Sequence, residues 1–337
     1  MSKSFTLLLG AAALTLSGAA RAEAPMSVVA SFSILGDMVE EVGGEHVDVT
    51  TLVGPDGDAH VFSPSPTDAR AVGEADLFVV NGLHFEGWLD RLVEASGYEG
   101  PVVVASRGID ALSFDEEREE RSSDHEGHDH AAGHDHDHDH DHDHDHDHDH
   151  DHDHSEHAGH DHGPEDPHAW QDLQNGKQYV ANIRDALVAA DPEHAADYRR
   201  NAEQYVEAMD TLDAEVHRRI GAIPEANRVL ITNHDAFGYF ANAYGLDVLS
   251  PVGLSTAAEP SAAGMAKLIE QIQARNVKAL FLENMTSPAL LEQLADETGV
   301  TIGGTLYAGA LAAEGEASTY LGMFRHNVDT LTEALKD

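Results

Sequence analysis

The sequence DPEHAADYRRNAEQYVEAMDTLDAEVHRRI, residues 191–220, decides the fold of this chain. Asp191 followed by Pro192 is a typical helix start, because aspartate caps unpaired backbone N–H groups and proline fits the first helical turn. At ~1.5 Å per residue, a helix that continues to Ile220 would reach ~40 Å, long enough to run along a whole domain. This stretch therefore predicts a helix that connects two lobes.

Strand-like and helix-like segments alternate on both sides of this helix. Such alternation is typical of a parallel sheet with crossover helices. The apolar runs at residues 78–80 and 102–104 fit strands that are covered on both faces. The predicted strands are residues 26–31, 47–53, 77–81, 102–105, 228–232, 247–249, 279–282 and 301–306. The predicted helices, besides the connector, are residues 34–42, 66–75, 86–95, 172–190, 236–244, 261–276, 288–298 and 317–336.

The predicted fold class is α/β, with two βα lobes that contain parallel sheets and are joined by one long helix. The N-terminal lobe covers residues 25–190, the linking helix residues 191–220, and the C-terminal lobe residues 221–337. Each half holds about four βα units. A chain of 337 residues is long enough for two domains, each with its own core.

Residues 1–24 are typical of a secretory signal peptide. Lys3 supplies a positive charge, residues 5–16 a short apolar run, and residues 20–22 an A-x-A cleavage site. The apolar run is shorter than the ~18–20 residues that a membrane span needs. The chain contains no cysteine, so it has no thiolate metal site and no cysteine for a lipid anchor. We expect a soluble periplasmic protein that is exported by a cleaved signal peptide and has no lipid anchor.

The formal net charge of −43 argues against nucleic acid as a partner, because a polyanion would be repelled, and it favours cations. Much of the excess negative charge lies in a His/Asp-rich loop at residues 115–165, which has almost no large apolar residues. Such a segment cannot bury enough surface to offset its chain entropy. We therefore expect this loop to be disordered when no metal is bound.

The loop is also the main concentration of histidine, with seventeen of the 25 histidines between His125 and His162. Imidazole is a common ligand for zinc, copper and nickel and is largely neutral near pH 7. Closing a flexible chain around each ion costs entropy, so we predict an auxiliary metal collector of low affinity; the alternative is a solvated acidic spacer. The histidines of its strictly alternating part are His134, His136, His138, His140, His142, His144, His146, His148, His150, His152 and His154.

Three other histidines lie where ligands bind in open parallel sheets, beyond the carboxyl ends of strands. His60 follows the strand at residues 47–53, His168 follows the His/Asp-rich loop, and His234 directly follows RVLITN. Each of them, taken alone, could be an ordinary hydrogen-bonded loop histidine. Brought together, they would form a nitrogen-rich site that suits Zn²⁺.

Seven pieces of the sequence carry a resemblance to a known family, and they cover the chain from about residue 26 to its end. They are DAHVFSPSPTDAR, NGLHFEGWLD, DPHAWQD, NHDAFGYFANAYGL, GLSTAAEPSA, FLEN and TYLGMFRHN. In these pieces and in their order, the sequence resembles the zinc/manganese substrate-binding proteins of ABC transporters, the cluster A-I family. The pieces around His60 and His168 are quite specific.

The resemblance implies a metal site in the cleft between the lobes, with His60 and His168 as N-lobe ligands and His234 as a C-lobe ligand. It also implies delivery of the metal to an ABC membrane permease. Histidine-rich insertions before DPHAW occur in the family's zinc-binding members, which indicates Zn²⁺ as the cargo. A monomer is expected, with a periplasmic metallochaperone as a further partner.

The chain departs from the family at the fourth ligand. Gly309 stands where an aspartate is expected, and Ala59 stands where some zinc members place a glutamate. The fourth position is left to water, to a loop histidine, or to a shifted acid such as Glu314 or Glu316, and water is favoured. Loss of an anionic ligand should weaken the site and make it poorly suited to Mn²⁺, which prefers carboxylate oxygen.

Three histidines with an open position also resemble catalytic zinc sites, so an enzyme has to be considered. The sequence contains no H-E-x-x-H motif, and no two of these histidines share a helix turn. Asp235 and Glu283 could act as general bases, but Asp235 better fits a helix cap or a partner of a ligand, and Glu283 a group that steadies a histidine.

We therefore predict a high-affinity zinc-binding transport protein and not an enzyme. The alternative is a periplasmic metal-buffering protein or chaperone without a permease, and ligand type alone does not separate Zn²⁺ from Cu²⁺ or Ni²⁺.

Overall fold

The computed structural model describes residues 24–113 and 165–336. The first 23 residues of the chain, within the predicted signal peptide, lie outside these ranges. So do residues 114–164, with nearly all of the His/Asp-rich loop and its eleven alternating histidines from His134 to His154. The predictions for those segments therefore remain predictions.

The N-terminal lobe is a four-stranded parallel sheet in the order β2-β1-β3-β4. Its two central strands, β1 and β3, are the most buried, and every residue of β3 is buried. The strands are β1 Met26–Phe32, β2 Val47–Val53, β3 Leu77–Val80 and β4 Val102–Val104. The helices are α1 Ser33–Gly43, α2 Pro66–Glu74, α3 Leu89–Ser96 and α4 Leu173–Ala190.

The linking helix, α5, spans Ala195–Ile220. Its buried residues recur every three or four positions and pack against α1 and α4 of the N-terminal lobe. The predicted start at Asp191 is wrong by one turn: the Asp191 side chain accepts a hydrogen bond from the backbone N–H of His194 and caps a short 3₁₀ turn instead. Among the helices of the described ranges, including α5, none is long and apolar enough to cross a membrane.

The C-terminal lobe contains two parallel pairs of strands, β5-β6 and β7-β8, with β5 beside β7. The pairing of β7 with β8 shifts register between Leu280 and Phe281, opposite the Gly303-Gly304 pair. The strands are β5 Val229–Ile231, β6 Asp247–Leu249, β7 Ala279–Glu283 and β8 Thr301–Leu306. The helices are α6 Gly238–Tyr244, α7 Ala262–Arg275, α8 Ala289–Thr298 and α9 Tyr320–Leu335, and α9 packs back on α5.

Three other helices begin two or three residues later than predicted, because local hydrogen bonds hold the preceding residues. Helix α3 starts at Leu89 instead of residue 86, since the Glu86 carboxylate accepts from the backbone N–H groups of the strand-end loop. Helix α6 starts after a turn that the backbone of Ala236 closes onto the carbonyl of His234. Helix α9 starts at Tyr320, where the Thr319 hydroxyl caps its first turn.

Asp37 on α1 connects three helices from both lobes. Its Oδ2 accepts from the backbone N–H of Tyr320 on α9 at 2.9 Å and from the Tyr205 hydroxyl on α5 at 3.1 Å. Burial raises the pKa of Asp37 from 3.8 to about 6, the two hydrogen bonds oppose the rise, and the nearby Glu41 and Glu40 add to it. The folded protein therefore holds a proton on Asp37 more tightly than the unfolded chain does.

Because the pKa of Asp37 is raised on folding, its contribution to stability is fully present below pH 4 and is lost as the pH rises through about 6. We expect the free energy of unfolding of the wild type, relative to an Asp37→Asn variant, to fall by about 2 kcal/mol between pH 4 and pH 7. Denaturant unfolding across this range measures the difference, and Asp48→Asn, at an exposed aspartate on β2, is the control. A difference between wild type and Asp37→Asn that stays constant with pH would contradict the assignment.

Candidate metal centre

The fold brings the three predicted histidines together between the lobes. His60 lies in the loop after β2, His168 directly precedes the 3₁₀ turn that leads into α4, and His234 lies in the loop between β5 and α6. All three are buried, and one ligand atom from each lies within 4.8 Å of the others. Within the described ranges, this is the one group of three or more histidine or carboxylate side chains with that spacing.

Carboxylate partners direct two of the rings. Nδ1 of His168 lies 2.8 Å from Oδ1 of Asp166, and Nδ1 of His234 lies 2.6 Å from Oε2 of Glu283. The Asp166 contact is a hydrogen bond, whereas the Glu283 contact has an ion-pair distance without hydrogen-bond geometry. A carboxylate beside Nδ1 favours the proton on that nitrogen and leaves Nε2 as the ligand atom. Nε2 of His234 is buried and has no hydrogen-bond partner among the described residues.

The spacing of the nitrogens fits a bound cation. Nε2 of His60 and Nε2 of His168 are 3.2 Å apart. Two nitrogens bound to Zn²⁺ at ~2.0–2.1 Å with tetrahedral geometry would be roughly 3.3–3.4 Å apart. Buried imidazole lone pairs held this close repel one another unless a proton or a metal ion lies between them. The donor set therefore fits a zinc-like ion.

The two acid-paired histidines differ in proton affinity. Burial lowers the pKa of His168, and its bond to Asp166 only partly opposes this. Burial also lowers the pKa of His234, but the charge of Glu283 and the contact with it outweigh burial, so the net pKa is raised. His168 is thus ready to bind a metal as a neutral ligand, whereas a metal at His234 has to displace a more tightly held proton.

Asp166 is a site residue that sequence reasoning missed. Its Oδ1 accepts from the His168 backbone N–H at 2.9 Å as well as facing the ring. Asn81, at the end of β3, donates from Nδ2 to the Pro167 carbonyl and accepts from the Tyr179 hydroxyl, which fixes the same turn. The D-P-H spacing is the sequence signal that could have identified Asp166. An aspartate side chain often accepts a hydrogen bond from the backbone N–H two residues further on.

Phe85 and Trp170 form an aromatic wall on the N-lobe side of the cluster. The Phe85 ring lies 4.8 Å from the His60 ring, and the Trp170 ring lies 5.3 Å from the His168 ring, between ring centroids. The two aromatic rings also pack on each other at 4.8 Å. This wall keeps water away from the nitrogens and strengthens electrostatic interactions among them.

The two predicted acidic partners occupy different positions. Glu283, at the end of β7, contacts the His234 ring and accepts from its backbone N–H at 2.9 Å. The helix-cap role proposed for Asp235 is wrong, because α6 begins at Gly238. The backbone N–H of Asp235 donates to the Gly253 carbonyl, and its charge helps to raise the pKa of His234.

No fourth side-chain ligand joins the cluster within the described ranges. Glu314 and Glu316 are exposed and lie outside it, and Ala59 is buried and apolar. Gly309 is buried, and a Cβ placed on it would lie 3.1 Å from the sulfur of Met285. Among the described residues the fourth position is thus not filled, and water or a histidine of the His/Asp-rich loop stays the prediction for it.

A buried cluster of three imidazoles between two βα lobes defines a metal-capturing substrate-binding protein. Residues 28–334 match the profile of the family described as "ZnuA: Zinc-uptake complex component A periplasmic", and the chain belongs to this family. Proteins of this family work with ABC-transporter permeases, and they are substrate-binding proteins, not enzymes. The predicted family, the α/β fold with two lobes and the absence of enzymatic activity are confirmed.

Individual relatives are named for different metals. The chain is 33% identical over 311 residues to the manganese-binding lipoprotein MntA of Halalkalibacterium halodurans, covering 92% of this chain and 88% of that protein. It is 29% identical over 332 residues to the iron-binding protein YfeA of Yersinia pestis, covering 98% and 92%. Among solved structures, the periplasmic zinc-binding protein TroA of Treponema pallidum has a TM-score of 0.76 and 28% identity, covering 93% of this chain and 100% of that one. The family is thus a metal-binding one, and the choice of metal varies within it.

Proposed function

We propose that this protein captures Zn²⁺ with high affinity at His60, His168 and His234 and delivers it to an ABC permease. The observation that carries the proposal is the all-nitrogen donor set of the cluster, to which no carboxylate of residues 24–113 or 165–336 contributes a ligand atom. Neutral imidazole suits zinc, whereas Mn²⁺ favours carboxylate oxygen. On this donor set, the proposed cargo of this chain differs from the manganese and iron for which some relatives are named.

Two of the three ligands are proposed to act with a carboxylate partner that sets their orientation. Asp166 holds His168, and Glu283 holds His234, through the nitrogen that faces away from the metal. Water is proposed as the fourth ligand at the open position. Imidazole also binds Cu²⁺ and Ni²⁺, so a competition titration of the purified protein should include both ions beside Zn²⁺ and Mn²⁺.

The alternating histidines from His134 to His154 are proposed to collect zinc near the cleft at lower affinity. The competing proposal is a metal-buffering protein or chaperone that acts without a permease. Both proposals use the same residues, so they differ in what happens to zinc uptake by the cell. A monomer in the periplasm that exchanges metal with a permease, and with a metallochaperone, is the arrangement we propose.

Deleting residues 124–162 tests the collector. We expect the deletion to leave one tight zinc site and to remove the additional weak binding, because the cleft histidines lie outside the deleted segment. Cells that carry the deletion should grow more slowly than the wild type at scarce zinc, and cells that carry His168→Ala should show the larger defect. Unchanged uptake in both strains would favour the buffering protein over the transport protein.

The proposed location is the extracytoplasmic side of the membrane, reached through a cleaved signal peptide. Several relatives are named lipoproteins, including MntA of Halalkalibacterium halodurans. The printed sequence of this chain contains no cysteine, the residue to which such a lipid would be attached. The lack of cysteine supports the expectation of a protein without a lipid anchor, and this expectation stays a prediction.

A further inference from the structure

Asp58 connects a proposed metal ligand to the opposite lobe. Its Oδ1 accepts from the backbone N–H of His60 at 2.9 Å, two residues further along the same loop. Its Oδ2 accepts from the hydroxyl of Thr256 at 2.7 Å, in the C-terminal lobe. The two oxygens of one carboxylate therefore hold the His60 loop and a C-lobe loop at the same time.

A second contact of the same loop crosses the cleft without touching His60. The backbone N–H of Asp56 donates to the Leu311 carbonyl at 2.9 Å, and Oδ1 of Asp56 accepts from Nδ2 of Asn284 at 2.9 Å. The loop at residues 54–60 is thus held to the C-terminal lobe at two points. Of these two residues, only Asp58 also accepts a hydrogen bond from the backbone of a proposed ligand, His60.

The Thr256 contact is suited to respond to movement between the lobes. An O–H···O bond to a carboxylate is stronger than one between neutral groups, and it is lost when its partners separate by about an ångström. Thr256 is half-buried in a loop that lies outside any helix or strand of its lobe. Opening of the cleft therefore breaks this bond without unfolding a regular element.

We infer that Asp58 and Thr256 form a latch that holds His60 in the closed cleft and slows metal release. The inference rests on the proposed function, because it assumes that His60 and His168 of one lobe and His234 of the other hold the same ion. While the latch is closed, the His60 backbone and the C-terminal lobe move together. Breaking the Asp58–Thr256 bond removes one of the two attachments of the His60 loop to the C-terminal lobe, so His60 leaves the metal more readily and zinc dissociates faster.

Thr256→Val tests the latch, because valine keeps the branched shape of threonine and removes the hydroxyl. Thr256→Ser, which keeps the hydroxyl, is the matched control. The full chain is loaded with half an equivalent of Zn²⁺, so that the tightest site fills first, and release to an excess of chelator is followed. We expect Thr256→Val to release zinc about tenfold faster than the wild type, the typical effect of losing a hydrogen bond to a charged acceptor. Thr256→Ser should stay within about twofold.

Repeating Thr256→Val in an Asp58→Ala background shows whether the effect of the threonine hydroxyl depends on Asp58. There the acceptor is already absent, so Thr256→Val should change the release rate by less than about twofold. Thermal unfolding of each metal-free variant confirms that it is folded. The latch would be overturned if Thr256→Val released zinc at the wild-type rate. It would also be overturned if Thr256→Val accelerated release equally in the wild-type and Asp58→Ala backgrounds. A His234→Ala variant distinguishes a failure of the latch from a failure of the proposed zinc site. If the wild type releases zinc as fast as His234→Ala, the proposed cleft site itself has failed.

Discussion

Replacing His168 with alanine should lower the zinc affinity of the tight site by more than about 100-fold. Removing a group that only orients a ligand typically costs ~10–100-fold in metal affinity, and removing the ligand itself should cost more. His168 is fully buried and lies 3.2 Å from the corresponding nitrogen of His60, so no water-exposed group can take its place without a rearrangement. Competition of the purified protein against a zinc chelator of known affinity measures the loss.

Two further variants serve as references for the measured zinc affinity. Glu283→Gln keeps all three imidazoles but removes the charge beside Nδ1 of His234, so its affinity should fall between those of wild type and His168→Ala. His217→Ala removes an exposed histidine from α5 and should leave the affinity unchanged. An unchanged tight site in His168→Ala, or an equal loss in His217→Ala, would show that zinc is held elsewhere in the chain.

Introducing a carboxylate at position 309 should change which metal the site prefers. We expect Gly309→Asp to raise the Mn²⁺ affinity by about tenfold or more, because the present cluster lacks the oxygen ligand that this ion favours. The position can accept a side chain. The Cβ would meet only the sulfur and terminal carbon of Met285, at 3.1 and 3.2 Å, and these are the flexible end of a side chain.

Gly309→Ala and Gly309→Asn are the matched controls. Alanine displaces Met285 without adding a ligand, and asparagine adds a neutral oxygen, so neither should raise the Mn²⁺ affinity as aspartate does. Titration of the three variants with Mn²⁺, in competition with Zn²⁺, gives the comparison. If Gly309→Asp and Gly309→Ala bind Mn²⁺ equally, position 309 does not face the metal and the open fourth position lies elsewhere.

The positions of two of the three histidines could be predicted from a simple rule. Ligands bind beyond the carboxyl ends of parallel strands, and His60 and His234 lie in the loops that follow β2 and β5. These strands belong to different sheets, so the meeting of the two loops, and the place of His168 beside them, followed from the family resemblance. The long helix could be predicted from its length and its helix-start residues, within one turn. These are features that depend on neighbours in sequence or on the direction of strands.

Contacts between distant segments could not be predicted in this way. Asp58 and Thr256 are separated by 198 residues, and no local pattern distinguishes this pair from the many other acid and hydroxyl groups of the chain. The sequence predicts Glu283 as a group that steadies a histidine, but it does not specify that this histidine is His234, 49 residues away. The division of the C-terminal strands into two separate pairs depends on backbone hydrogen bonds that strand propensity does not specify.

Anomalous diffraction at the zinc absorption edge, from crystals of the full chain loaded with one equivalent of Zn²⁺, tests the central claim most directly. The proposal predicts one strong peak within ~2.0–2.1 Å of a ring nitrogen of each of His60, His168 and His234, with a water-sized ligand at the fourth position. Full occupancy of another site, with no peak between these three rings, would contradict it.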